Sequence, residues 1–208
     1  MKKTNCPWRL LAFAIVASFL HPIGDIAAQS DRDSSFTIIA SLSGGITRSI
    51  SENQPTLEGS DYTPGGFGGA FRLVWHPDHL LMVGVETGLF RVSSLTFPTA
   101  SVNAQAPDAE ASINAVPMLL VFAMKKYGVE ISSGLGYYLY YVTTQSRGTG
   151  LKGGSSNSEI GYMIGLSYTF ELWDRFEIGP DLKWHVITER QVRTFLGQVR
   201  VGWRLWKY

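Results

Sequence analysis

The residues of this chain that could do chemistry fall into two arrangements. The first is a possible catalytic histidine. His185 stands near the end of an alternating segment, where it could act as general base for a serine nucleophile in ester hydrolysis. The nearest hydroxyl candidates by segment order are Ser146 and Ser158. No orienting group for the histidine is visible in the spacing, so the expectation is that no residue is catalytic. His76, Asp78 and His79 crowd one short stretch with Pro77, a spacing that could hold a metal. Turn chemistry accounts for it, and no metal site is expected. The tract 148–154 (GTGLKGG) lacks the Lys-Ser/Thr ending and following helix of a phosphate loop, so it reads as a flexible loop. No cofactor is implied.

The second arrangement is a shared parity. Arg72, Glu86, Glu130, Glu171, Glu177, Asp181, Lys183, His185, Arg200 and Arg204 all alternate with apolar neighbours and fall on one face of their segments. In the segment after residue 175, Phe176, Ile178, Pro180, Leu182, Trp184 and Val186 oppose Glu177, Gly179, Asp181, Lys183 and His185. Near residue 200, Val199, Val201, Trp203 and Leu205 oppose Gln198, Arg200, Gly202 and Arg204. A cation on a lipid-facing strand at mid-depth costs about 2–4 kcal/mol, so a membrane barrel would turn this face inward. The ten residues are expected to pair there as an interior polar network, with Tyr138 and Tyr140 joining it. Gly84, Gly88, Gly134, Gly136, Gly161, Gly165 and Gly202 would make room. Arg91 has the lipid-side parity, but it lies near the end of its segment, where the cost is small.

The elements that must position this network read as eight strands over residues 35–46, 65–75, 80–93, 111–124, 129–143, 158–172, 176–188 and 194–208. The connections alternate between long polar loops (47–64, 94–110, 144–157) and short turns (76–79, 125–128, 173–175); a short loop at 189–193 precedes the last strand. Outer-membrane barrels alternate long outer loops with short periplasmic turns in this way. The fold class is therefore all-β: an eight-stranded antiparallel transmembrane β-barrel with up-and-down meander topology. A soluble β-sandwich would have no reason to alternate loop length. The faces of 111–124 cannot be assigned, since both are apolar. Pro117 and Pro180 each remove a ladder donor and predict local breaks.

Residues 1–28 read as a cleaved signal peptide and 29–208 as the barrel domain. Lys2, Lys3 and Arg9 precede an apolar run from Leu10 to Leu20, and Ala27-Ala28 offers a cleavage point. Removing this segment leaves 15 basic and 16 acidic residues of the full chain's 18 and 17. So balanced a charge implies no nucleic-acid partner. Cys6, the single cysteine, precedes the apolar run, so the mature chain would cross the periplasm with no disulfide to form.

The stretches Asn114-Ala115-Val116-Pro117-Met118-Leu119-Leu120, Gly134-Leu135-Gly136-Tyr137-Tyr138 and Val83-Gly84-Val85-Glu86-Thr87-Gly88 resemble a known family. It is the small outer-membrane β-barrel proteins of Bacteroidota-type bacteria, including PorT-like proteins. The resemblance implies residence in the bacterial outer membrane and no shared catalytic residues. The terminal Trp203-Arg204-Leu205-Trp206-Lys207-Tyr208 resembles the aromatic strand read by barrel-assembly machinery, although it ends in Tyr rather than Phe. The expected partners are outer-membrane lipid, that machinery during biogenesis, and an extracellular ligand or protein met through the long loops. A structural or surface-binding barrel is the leading expectation. A lipid hydrolase using His185 is one alternative, although the lipid A deacylase pattern has Ser two residues after the His, where this chain has Ile187. A narrow pore is the other.

Overall fold

The computed structural model describes residues 36–50, 61–77, 81–97, 109–146, 152–173, 175–188 and 192–207. The signal-peptide reading of 1–28 lies outside these residues, as do Asp78 and His79.

Ten strands form one antiparallel sheet: β1 (Thr37–Ile50), β2 (Asp61–Thr63), β3 (Gly66–His76), β4 (Leu81–Phe97), β5 (Ala109–Lys126), β6 (Val129–Ser146), β7 (Lys152–Tyr168), β8 (Phe170–Trp173), β9 (Phe176–Ile187) and β10 (Val192–Lys207). β1 pairs with both β3 and β10, and β10 pairs with β9, so the sheet closes on itself. Eight strands make the ring. β2 is a short addition to the outer end of β4, and β8 continues β7 after a one-residue break at Thr169.

The printed registers fix the stagger of the closure. From Asp181 the ladder runs through Gln198, Gly45, Gly68, Phe90, Ala115 and Tyr140 to Asn157 on β7. On its other side Asp181 pairs with Ser167 of the same strand, ten residues farther on. A displacement of ten over eight strands gives the ~35–45° strand tilt that a closed barrel requires.

The prolines act as their chemistry dictates. Opposite Pro117, the β4–β5 ladder skips from Thr87–Met118 to Phe90–Ala115, and a bulge follows between Arg91 and Ser93. Opposite Pro180, the ladder to β9 is interrupted between Ser167 and Phe170, the break that separates β7 from β8. The Thr169 N–H instead donates to the Gly128 carbonyl at 2.9 Å. The β5–β6 turn is two residues, Tyr127 (φ 52°) and Gly128 (φ 81°), a left-handed pair that matches the twist of its strands. Lys125 and Lys126, expected in that turn, instead extend β5.

Surface and interior are inverted relative to a water-soluble protein. Leu42, Ile46, Phe67, Val85, Leu89, Leu120, Phe122, Ile131, Leu135, Ile164, Leu182 and Val199 are exposed on the outside, while charged residues are buried inside. Outward-facing Trp75, Phe176 and Trp203 mark the short-turn end; Phe176 stacks on Trp203 with centroids 5.8 Å apart. Phe67 and Phe195 mark the other end, each eight residues from a tryptophan on its own strand. Eight residues at such a tilt rise roughly 21 Å, close to the ~25 Å apolar band of an outer-membrane barrel. This is a lipid-facing, membrane-spanning surface.

The outer strand ends run farther than the sequence pattern predicts. Lys152–Asn157, expected within the Gly/Ser loop, belongs to β7 and pairs with Gln145–Tyr140 of β6. Thr47–Ile50, Ser94–Phe97 and Ala109–Glu110 likewise stay in the ladder. Most of these residues are polar, as suits strand ends above the apolar band. Hydrogen bonding continues there without any hydrophobic period to signal it. Gly179 is the tightest point of the β8–β9 junction, where an added Cβ would lie 1.8 Å from the Tyr168 carbonyl oxygen. Gly179→Ala is expected to cost about 1–3 kcal/mol of overpacking strain. Urea unfolding in lipid vesicles measures it, and an unchanged midpoint would contradict this junction.

Candidate functional site

Parity delivers charged side chains into the lumen from seven strands; those of six meet across it, and Glu159 on β7 is buried nearer the outer end. Arg72 on β3 stands opposite Glu86 on β4 in the ladder, and its Nε donates to Glu86 Oε2 at 2.6 Å. A second Arg72 nitrogen crosses to Glu130 on β6 at 2.7 Å. Arg200 on β10 reaches the same carboxylate with two nitrogens, at 2.8 and 2.9 Å, a bidentate fork. Lys183 on β9 spans the lumen to Glu86 Oε1 at 2.8 Å and lies 3.3 Å from Asp181. Lys125 on β5 donates to Glu177 on β9 at 2.5 Å. Four cations (Arg72, Lys125, Lys183, Arg200) therefore face four carboxylates (Glu86, Glu130, Glu177, Asp181). The group is formally neutral.

Apolar layers lie on either side of this belt. Toward the outer end, Phe90, Val92, Ala115, Leu119, Tyr138, Tyr140, Met163, Ile187 and Leu196 form a buried cluster. Toward the short-turn end, Ile39, Val74, Met82 and Ala123 form a smaller one. Small residues make the space. An added Cβ on Gly202 would fall 2.7 Å from Glu177 Cγ, and one on Gly161 would fall 2.8 Å from the Tyr138 ring. These ion pairs and buried clusters occupy the lumen among the described residues.

Of the ten residues expected inside, Arg72, Glu86, Glu130, Glu177, Asp181, Lys183, His185 and Arg200 are buried in the lumen. Glu171 and Arg204 are corrections. They pair with each other at the short-turn rim, with side chains 61% and 28% exposed. Glu171 has inward parity, but β8 lies past the break at Thr169 and a bulge follows between Glu171 and Trp173, so its side chain emerges into water.

Sequence reasoning missed Glu159, buried on the inward face of β7, and Lys125. The signal was available: Lys126 pairs with Val129 across the two-residue turn, so Lys125 faces the same side as Glu130. It also left the faces of β5 open. Ala115, Pro117, Leu119, Val121 and Ala123 point inward, and Met118, Leu120, Phe122 and Met124 point outward. Both faces are apolar because the inner one packs into the lumen's own apolar layer.

His185 does not meet either serine. Its Nδ1 shares a 2.8 Å hydrogen bond with the Tyr138 hydroxyl, and the Phe90 ring lies 5.1 Å away. Ser158 sits on the opposite face of β7, exposed on the outside. Ser146 lies twelve residues beyond Gly134, the β6 residue level with His185 through Met163. That is roughly 40 Å along the strand. Among the described residues no group of His, Cys, Asp and Glu could hold a metal ion.

Glu130 is the acceptor on which two strands' arginines converge. Glu130→Gln leaves Arg200 buried without its ion-pair partner and Arg72 with Glu86 alone, and a broken buried pair typically costs ~3–5 kcal/mol. Glu171→Gln at the exposed rim is expected to cost under ~1 kcal/mol. Tryptophan fluorescence during urea unfolding in vesicles compares the two. Equal effects would contradict the belt as the stabilising centre.

No family model matches this chain, and no curated protein does. Solved structures do. A major outer membrane protein of Thermus thermophilus aligns with 82% of this chain and 99% of its own, at TM-score 0.58 and 13% identity. Ail, the attachment invasion locus protein of Yersinia pestis, solved in complex with the heparin analogue sucrose octasulfate, aligns with 82% of this chain and 98% of its own, at TM-score 0.50 and 12% identity. At these identities the likeness is one of fold. Closed ladder, apolar outer band and shared fold together identify the chain as an integral β-barrel protein of the bacterial outer membrane.

Proposed function

We propose that this protein is a surface-binding barrel that captures an extended polypeptide along the outer edge of β7. The observation that carries the reading is an unpaired ladder edge. β7 pairs with β6 along its whole length from Lys152, but its pairing with β9 begins only at Gly161. The last backbone bond on that side among the described residues joins the Thr188 N–H to the Ile160 carbonyl. Among the described residues, no strand pairs with the second edge of Lys152–Ser158.

The chemistry of the segment suits capture. Gly154, Ser155, Ser156, Asn157 and Ser158 are exposed on both faces, so this part of the sheet stands in water above the apolar band. It carries no proline, and small side chains leave the backbone accessible. An open edge of this kind is a template for strand addition, in which main-chain hydrogen bonds supply the affinity. On the other flank of the protruding sheet, β2 already occupies the edge of β4 at Ser94–Thr96.

The finer family reading, a PorT-like barrel of the Bacteroidota type, is part of this proposal and rests on the resemblance of residues 83–88, 114–120 and 134–138. Recognition by barrel-assembly machinery during biogenesis belongs with it, supported by Trp203, Leu205 and Trp206 on the final strand. The burial of His185 against Tyr138 and the outward exposure of Ser158 favour binding over lipid hydrolysis.

The test starts from decapeptides selected from a random library on the barrel in lipid nanodiscs. Selected peptides are expected to slow hydrogen exchange at residues 152–159. They should lose at least tenfold in affinity to a barrel carrying both Ser155→Pro and Ser156→Pro, which removes adjacent donors that face opposite edges. Peptides that protect other residues, or bind the variant equally, would overturn the reading.

A further inference from the structure

Three arginines break the apolar character of the lipid-facing side. Arg48 on β1, Arg91 on β4 and Arg193 on β10 are all exposed on the outside of the barrel. Their heights agree. Arg48 is the ladder partner of Phe195, and Arg193 lies two residues beyond it, opposite Ile50. Arg91 is one residue past the Phe90–Gly68 pair, level with Phe67. Phe67 and Phe195 are the outward aromatics that end the apolar band. The guanidinium groups thus stand where hydrocarbon gives way to headgroups. An arginine costs ~0–1 kcal/mol there, against ~2–4 at mid-depth.

They are also gathered into one sector. β10, β1, β3 and β4 are consecutive in the ring, so the three strands that carry arginine span roughly 14 Å of circumference. On β5, β6 and β7 the residues that continue the ladder from Arg91 are Asn114, Tyr141 and Ser156.

The Arg91 side chain is laid across the sheet. Its Cδ, Cβ and Cγ occupy the space where a Cβ on Gly66 would stand, at 2.9, 3.0 and 3.2 Å. Gly66 pairs with Thr47, the neighbour of Arg48, so the stem of Arg91 is directed over β3 toward β1. A side chain at Gly66 would collide with the Arg91 stem. Neither Arg48 nor Arg91 forms an ion pair among the described residues. The described carboxylates nearest on that side, Asp61 and Glu110, both lie opposite Thr96, five residues farther out than Arg91.

We infer that this sector is a binding site for a phosphate-bearing glycolipid of the outer leaflet. Arg48 and Arg91 hold the phosphate, Arg193 adds charge, and the acyl chains lie on the apolar surface below. Guanidinium groups match phosphate through paired N–H donors, and clustered cations at a membrane boundary are a recurrent headgroup site. The site is on the opposite side of the ring from the free edge of β7 and does not depend on it.

The experiment is native mass spectrometry of the barrel extracted from vesicles containing bisphosphorylated lipid A, with fully dephosphorylated lipid A in a parallel arm. The wild type is expected to retain one phosphorylated glycolipid. Arg48→Gln with Arg91→Gln should reduce retention at least tenfold. Gly66→Ala, which displaces the Arg91 stem, should reduce it by a smaller factor. Lys126→Gln, exposed at the opposite end of the barrel, should leave it unchanged. Heat-modifiability on gels confirms that each variant is folded before it is compared. Equal retention of the dephosphorylated lipid, equal retention by the double variant, or displacement by millimolar inorganic phosphate would each overturn the inference. The last would mark a free-anion site instead.

Discussion

The structure depends on one constraint: charges placed inside a closed eight-stranded barrel must neutralise one another there. Apolar clusters lie above and below the belt, and the paired groups are nearly all buried, so removing one partner leaves the other poorly compensated. Glu86 and Glu130 meet the constraint by each serving two cations. Glu86 joins β4 to β3 and β9 through Arg72 and Lys183, and Glu130 joins β6 to β3 and β10 through Arg72 and Arg200. Most of these strands are not ladder neighbours. The belt therefore links strands across the lumen that the backbone links only around the wall. A buried pair often adds little net stability over an apolar alternative, but it penalises any register that separates the partners. In a barrel, a one-residue slip turns every inward side chain toward lipid, so the belt also specifies register.

The wall answers to different physics at each height. Within the apolar band, alternation is strict because each outward position meets hydrocarbon. At the short-turn end the aromatic side chains of Trp75, Phe176 and Trp203 mark the interface. At the outer end three arginines join Phe67 and Phe195 on one sector, and on another the strands continue into water as a sheet with one edge unpaired among the described residues. The ion-paired interior and the differentiated outer rim are the two features that support the proposed surface-binding role.

Much of this was legible in the residues. Alternation around Asp181, Lys183 and Arg200 assigns their faces because each is flanked by apolar residues that must meet lipid. The prolines announced the ladder breaks, since a missing donor has the same effect wherever it occurs. Three features were hidden for physical reasons. β5 reads the same on both faces because its inner side packs against an apolar layer contributed by other strands. Glu171 keeps inward parity, but the lumen has ended by the time the chain reaches it. Lys152–Asn157 looks like a loop because a strand in water needs no hydrophobic period. Only the register carried up from the membrane keeps it paired with β6.

The central claim is that the neutral belt fills the lumen. It is tested most directly by the conductance of the purified protein reconstituted in a planar lipid bilayer. The account predicts a flat current trace at moderate voltage of either sign, because ion-paired side chains and two apolar layers block the axis. Stable, reproducible conductance steps from the folded wild-type protein would contradict it, and the interior would have to be understood as a channel lining.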